Sequence, residues 1–153
     1  MPEVKKILFP LEFAKISPAV VPWVEFYAQQ FNAELHVLHV VPYSSFLGTP
    51  YAAEIFKAQD EAGLIRKAEQ SVGHFINEHF AKPSSVVTKC VSGDPANEIV
   101  KYAEAQGIDL IIVGTHGKHG LDRSLYGSVV DLVLRYAKMP VLCFNPAPEA
   151  LKA

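Results

Sequence analysis

Gly114-Thr115-His116-Gly117 is followed, after nine residues, by Gly127-Ser128, a spacing of small residues suited to cradling phosphate oxygens. Glycine permits positive φ and lets backbone N–H groups approach a ligand closely. The first turn of a helix adds unpaired N–H groups at the positive end of its dipole. In this reading Gly114 and Gly117 shape a loop, Gly120 turns it again, and Gly127-Ser128 offer N–H groups and one hydroxyl at a helix start. The implied ligand is a nucleotide or another phosphate ester. The alternative is that the glycines only make a sharp strand-to-helix turn.

Two better-known phosphate motifs do not fit. A Walker loop needs four residues between its glycines and then Lys with Ser or Thr, whereas Gly117-Lys118 is followed by His119. Gly114, Gly117 and Gly120 recur every three residues, which is not G-x-G-x-x-G, and no acidic residue after a following strand stands at the distance expected for ribose.

The elements around the loop are legible. Leu110-Ile111-Ile112-Val113 is a short apolar run, as in a parallel strand covered on both faces. Leu125, Val129, Leu132, Val133 and Tyr136 then recur at three and four, giving a helix with one buried face. Upstream, Ile7-Leu8-Phe9 stops at Pro10, and Ser17-Pro18 supplies an N-cap and first-turn proline for a helix holding Val20, Val24, Tyr27 and Phe31, with Pro22 near its start. Residues 33–41 read as a second strand and 42–50 as a Pro-, Ser- and Gly-rich flap. Residues 51–81 carry the longest helical pattern, with Gly63 and Gly73 as weak points, and 86–91 alternate like an exposed edge strand. Gly93-Asp94-Pro95 turns and caps the next helix, Gly107 closes it, and Val141-Leu142-Cys143-Phe144 is a fifth strand. Strand and helix alternating at this spacing predict a parallel sheet with helices on both faces. Its ligand site lies beyond the strands' carboxyl ends at a topological switch point. If the first and fourth strands are neighbours, the Pro10-Leu11-Glu12 corner faces the 114–128 loop.

At 153 residues, half of them apolar, the chain is expected to form one domain, residues 1–153. The net charge of −2 without a basic run lacks the footprint of nucleic-acid binding. The short apolar run near the N-terminus suits neither a signal-peptide core nor a membrane span, so a cytoplasmic location is expected. Cys90 and Cys143, far apart in strand-like segments, read as reduced, inert packing thiols.

The remaining reactive side chains converge on no catalytic set. His116 and His119 lack a third metal ligand, and His36 and His39 point to opposite faces of a strand. Lys118 and Arg123 either meet terminal phosphates or are solvated, and nothing positions a water on Asp122 or Asp131. The stripe Trp23, Phe26, Tyr27 and Phe31 reads as core.

At these residues the sequence resembles the universal stress protein family, whose ATP-binding members carry G-x-x-G, nine residues, G-[S/T] after the fourth strand. Gly114, Gly117, Gly127 and Ser128 match at every position, and the likeness extends through Lys6-Ile7-Leu8-Phe9-Pro10, Leu38-His39-Val40, Gly93-Asp94-Pro95, Asp109-Leu110-Ile111-Ile112 and Met139-Pro140-Val141-Leu142. The resemblance implies a Rossmann-like α/β fold, a five-stranded parallel sheet in order 3-2-1-4-5, with ATP, ADP or AMP, accompanied by Mg, at the ends of strands 1 and 4. It implies that the Val40 backbone reads adenine and that Gly114 helps hold the ribose. Gly117, Gly127, Ser128 and the Val129 N–H would hold the phosphates, with His116 and Gly120 in the same loop. One departure stands at the first-strand corner: binding members have Thr or Val and then Asp after the proline, and this chain has Leu11 and Glu12. Glu12 keeps the charge and adds a methylene. In the implied strand order the wholly apolar last strand is an edge, which predicts a homodimer through it. The functional expectation is a stress-response regulator that binds adenine nucleotide. The alternatives are a dimeric interaction scaffold that binds none, and a slow ATP hydrolase.

Overall fold

Short runs of branched apolar residues become strands, and the 3.6-periodic stretches between them become the helices that cover those strands. The computed structural model describes residues 1–12, 17–42, 58–115 and 123–145. In chain order the elements are β1 (Lys6–Pro10), α1 (Ser17–Phe31), β2 (Glu34–Pro42), α2 (Ala58–His79), β3 (Val86–Gly93), α3 (Pro95–Gln106), β4 (Leu110–Gly114), α4 (Arg123–Tyr136) and β5 (Val141–Phe144). All strand pairs are parallel, in the order β3-β2-β1-β4-β5. The 3-2-1-4-5 sheet expected from the resemblance is the one observed, and β1 and β4 are neighbours.

The two-residue strand repeat divides the core in two. Ile7, Phe9, Leu35, Val37 and Ile112 face Val20, Val21 and Val24 of α1 and Val72, Phe75 and Ile76 of α2. Leu8, Leu38, Ile111 and Val113 face Ala96, Ile99 and Ala103 of α3 and Val130 and Val133 of α4. Helices thus cover both faces of the central strands, which is why β1 and β4 lack alternation. Each of the Val, Leu, Ile and Phe side chains among them contributes about 1.5–3 kcal/mol by leaving water.

Local signals fix the joints. The Asp94 carboxylate accepts the Asn97 N–H at 3.0 Å and Pro95 occupies the first turn of α3, while Gly107 closes that helix at φ 65°. At the opposite, N-terminal end of the sheet, Asp109 Oδ2 accepts the backbone N–H groups of Lys5 at 2.8 Å and Lys6 at 3.0 Å.

Several expectations change. Ser17 is the first residue of α1 rather than its cap, and β3 runs two residues past Val91, to Gly93. Residues 43–50, expected as a flap, and 51–57, expected as helix, lie outside the described residues. Of the aromatic stripe of α1 expected as core, Tyr27 packs partly buried against the core, but Trp23, Phe26 and Phe31 are 45%, 46% and 45% exposed. The valine face of α1 already covers the strands, leaving the aromatic face turned outward. Trp23 reaches Phe144 of β5, with ring centroids 5.6 Å apart. Cys90 is a buried thiol as expected, but Cys143 is exposed on the edge strand and is no packing residue.

Candidate functional site

β1 and β4 pair through Ile7↔Leu110 and Leu8↔Ile111 and then part. The gap they leave lies where the chain crosses from one side of β1 to the other, the switch point of an open α/β sheet. It is lined by Pro10, the last residue of β1, Glu12 just beyond it, Ser17 at the start of α1, Gly114 ending β4, and Val129 and Val130 of α4. The crevice holds about 20 Å³, room for a single water.

Glu12 is the one titratable side chain among the described residues of this lining. Burial among apolar walls pushes its carboxyl up to about 7. Leu11 contributes no side chain here, since it is buried in the cluster under α1 and α2. Its N–H donates to the Leu38 carbonyl at 2.8 Å and its carbonyl accepts His39 Nδ1–H at 2.7 Å. Burial lowers the His39 pKa, and the bond to Leu11 opposes that shift.

Val40 is not at a strand end, because β2 continues to Pro42. The pairing of β1 with β2 reaches Pro10↔Leu38, and the Leu38 carbonyl faces β1. By the two-residue repeat the Val40 peptide faces the same side, beyond the point where the chain leaves β1 at Leu11-Glu12. Its side chain is buried against α3 and α4.

Of the glycine loop, Gly114 is described, whereas His116, Gly117 and Gly120, with Lys118, His119 and Asp122, lie outside the described residues. Thr115 ties the start of the loop to the end of β5, its N–H donating to the Phe144 carbonyl at 2.8 Å and its hydroxyl to Asn145 Oδ1 at 3.2 Å. The expected helix start at Gly127-Ser128 is corrected: α4 begins at Arg123, which places both residues in its second turn. No Gly or Pro separates Arg123 from Tyr126, so nothing in that stretch stops the helix from starting early. The amides lacking an intrahelical acceptor therefore belong to the turn opening at Arg123.

The other polar clusters are structural. His36, 3% exposed, donates Nε2–H to Glu34 Oε1 at 2.5 Å and accepts the Tyr102 hydroxyl on Nδ1 at 2.8 Å, so both ring nitrogens are satisfied. Burial, helped by the Glu34 charge, pushes the Tyr102 hydroxyl up. His39 lies on the opposite face of the strand, as the spacing predicts. Ser92 donates to Glu61, fastening the end of β3 to α2. Burial, with a smaller contribution from Glu69, raises the Cys90 thiol to about 11, and burial with Asp131 raises Cys143. Among the described residues, no three His, Cys, Asp or Glu side chains gather as metal ligands, and no helix is long and apolar enough to cross a membrane. Sequence reasoning missed Ser17 as a wall of the crevice. Its place after the Pro10 corner, at a helix start, was the available signal.

The profile of the Universal stress protein family matches residues 3–145. Universal stress protein MJ0531 of Methanocaldococcus jannaschii is 33% identical over 144 residues, covering 90% of this chain and 80% of that one. The solved structure of MJ0577, a universal stress protein of the same organism, superposes with a TM-score of 0.75 at 30% identity over 94% of this chain and 96% of that chain. A universal stress protein solved in complex with cAMP shares the fold, with a TM-score of 0.59 at 22% identity over 93% of this chain and 97% of that one.

Proposed function

The chain belongs to the universal stress protein family, and from that premise we propose that it is a stress-response regulator that binds an adenine nucleotide across the carboxyl ends of β1 and β4. The observation that carries the reading is the switch-point crevice, lined by both Glu12, after β1, and Gly114, at the end of β4. Its chemistry fits an adenosine lying over the mouth. The Val40 peptide offers a donor and an acceptor to a base edge, the Glu12 carboxylate accepts ribose hydroxyls, and Gly114 adds no side chain. The phosphates would extend along Gly117, Gly120, Gly127, Ser128 and Val129, with His116 in the same loop. Mg, when bound, would neutralise phosphate charge. Among the described residues no nucleophile, base and orienting group gather at the crevice, which supports nucleotide occupancy rather than turnover as the signal.

Thermal melting with Mg-ATP, and Mg-GTP as the base control, tests this. At ~100 times Kd, ligand linkage adds about 2.7 kcal/mol, and a domain of this size gains roughly 2–4 °C per kcal/mol. The expected result is an ATP-selective rise of roughly 5–10 °C, lost in Gly127→Asp with the fold retained. No rise with either nucleotide, in protein freed of bound ligand, would replace this reading with that of a scaffold.

We also propose that the protein is a homodimer through β5. The strand is an edge of wholly apolar sequence, and the exposed rings of Trp23 and Phe26 adjoin it through Phe144. Light scattering at tens of micromolar should give twice the chain mass of 16.8 kDa. Cys143→Lys, which places a charge on the exposed edge, should give the monomer. A wild-type monomer under these conditions would refute the assembly.

A further inference from the structure

α1 starts at the switch-point crevice. Ser17, the first residue of this fifteen-residue helix, and Val20 both line it. The crevice opens where the β1–β4 ladder ends. Leu11 donates its N–H to Leu38 of β2, so by the two-residue repeat Pro10 turns toward β4, and proline has no N–H to continue the ladder past Leu8↔Ile111. Phe9, Val20, Ile99, Val113 and the valines of α4 make most of the lining apolar, and its polar side chains are Glu12 and Ser17. Glu12 has a partner of its own. Ser17 is 5% exposed, and no described residue gives its hydroxyl a hydrogen-bond partner. A buried hydroxyl left unpaired is costly, and nearly all such groups are bonded to protein or to ordered water.

Main-chain groups adjoin that hydroxyl. The Ser17 N–H opens α1 and has no intrahelical acceptor, and Pro18 after it has no N–H. On the β4 side, Thr115 donates its N–H to the Phe144 carbonyl of β5, so by the same repeat the N–H and carbonyl of Gly114 turn toward β1. The lining also selects what can sit among these groups. Its volume of about 20 Å³ exceeds the roughly 10–15 Å³ that one water needs and is too small for a phosphate group or a sugar ring. Apolar walls would not solvate an ion. A water donates and accepts at once, which suits a hydroxyl, a helix-start N–H and a strand-end peptide together. We infer that Ser17 holds one internal water in the crevice, and that this water ties Gly114, the first residue of the 114–128 loop, to the start of α1. Bonds through such a water are nearly as good as direct ones. Resting on the nucleotide reading above, the tie fixes the start of the loop before a ligand arrives, which lowers the ordering cost of binding. Ser17 is then a positioning residue, acting on the nucleotide through the water and Gly114 without touching it.

A crystal structure of the full chain, at a resolution that shows ordered water, tests the site without any ligand. The wild type should hold one water within hydrogen-bond distance of Ser17 Oγ and of a Gly114 main-chain atom, and Ser17→Ala should hold none there, since small apolar cavities stay dry. Melting gives a sign. Loss of the water-mediated bonds should lower the Tm of Ser17→Ala by roughly 2–4 °C, whereas removing a hydroxyl that has no partner would raise it. Titration calorimetry with Mg-ATP then reads the positioning role, with binding to Ser17→Ala weaker by about fivefold. No water at Ser17 in the wild type, or a higher Tm in Ser17→Ala, would overturn the inference whatever the nucleotide does. A water lost in the variant with Mg-ATP affinity unchanged would overturn the positioning role. A wild type that holds the water and binds no Mg-ATP would overturn the nucleotide reading, and the positioning role with it, while the water site stands.

Discussion

The two ends of β1 and β4 differ in how they hold an acidic side chain. At the N-terminal end, Asp109 receives the N–H groups of Lys5 and Lys6 on one carboxylate oxygen, at 2.8 and 3.0 Å, while its own N–H donates to the Lys6 carbonyl at 2.9 Å. The carboxylate closes off backbone donors where β1 begins and β4 is about to begin. At the C-terminal end, Glu12 lies in an apolar crevice that raises its pKa to about 7. A carboxylate that accepts two backbone N–H groups is stabilised in its charged form, whereas burial at the other end opposes the charged form of Glu12. Polar groups placed against the interests of stability are a mark of a site, and here they stand at the end of the sheet where topology opens a gap.

The largest effect expected from this contrast is at Asp109. Asp109→Ala removes two charge-assisted bonds, one to the exposed Lys5 N–H, which water can satisfy, and one to the part-buried Lys6 N–H at the start of β1, a loss of about 2 kcal/mol that lowers Tm by roughly 4–8 °C. Asp109→Asn keeps an acceptor oxygen and should lose less than half as much. Nucleotide affinity should be unchanged in either variant, because both lie at the opposite end of the strands. A tenfold loss of affinity with an intact fold would mean that the two ends are not independent.

Gly107 sharpens the same point. It closes α3 at φ 65°, ψ 43°, just before Ile108 and Asp109 lead into β4, and a Cβ there would meet nothing within 4 Å. Strain in the left-handed region is thus the only penalty, about 1.5 kcal/mol for Gly107→Ala. Asn, which tolerates that region, should recover part of it. Chemical denaturation of the three proteins measures this, and equal midpoints would remove the left-handed cap as a stability element.

The contrast between the two ends also explains what was legible in the sequence. β1, β4 and β5 could be read because branched apolar runs bounded by Pro, Gly and Asp have few other structures open to them, and α3 because Asp94, Pro95 and Gly107 mark its two ends. The position of Glu12 at the crevice followed from strand alternation and the switch-point rule, whereas the role expected for it came from the resemblance alone. The start of α4 was misplaced. A Gly-Ser pair looks like a helix boundary, yet residues 123–126 accept helical geometry and nothing in the local pattern opposes it. The aromatic stripe of α1 was misjudged for a different reason. Periodicity shows that residues share a face but not whether a second layer lies over them, and here the layer under α1 ends at a four-residue edge strand. The role of Asp109 was invisible because it joins residues more than a hundred positions apart through main-chain donors, which leave no mark on side-chain pattern.

The smallest effect, and the one that bears most directly on Glu12, is the pH dependence of stability without ligand. The folded-state pKa lies at about 7, above the ordinary value of 4.5. Below pH 4.5 the carboxyl is protonated in folded and unfolded chains alike. From 4.5 to 7 the unfolded chain ionises first, so unfolding releases a proton and stability falls as the pH rises. Above 7 both states are ionised and the loss levels off. Glu12→Gln cannot ionise, so it should match the wild type in acid and exceed it by on the order of 1 kcal/mol at pH 8, a value discounted for the partial hydration of the group. His39, whose lowered pKa makes stability rise through the same acidic range, is present in both proteins and cancels in the difference. Denaturation midpoints at pH 4.5, 6 and 8 suffice to measure it. A difference that grows from zero between pH 4.5 and 8 identifies Glu12 as a group whose ionisation the fold opposes. A constant difference, or none, would mean that the fold does not oppose ionisation of this carboxyl, and that the contrast with Asp109 does not exist.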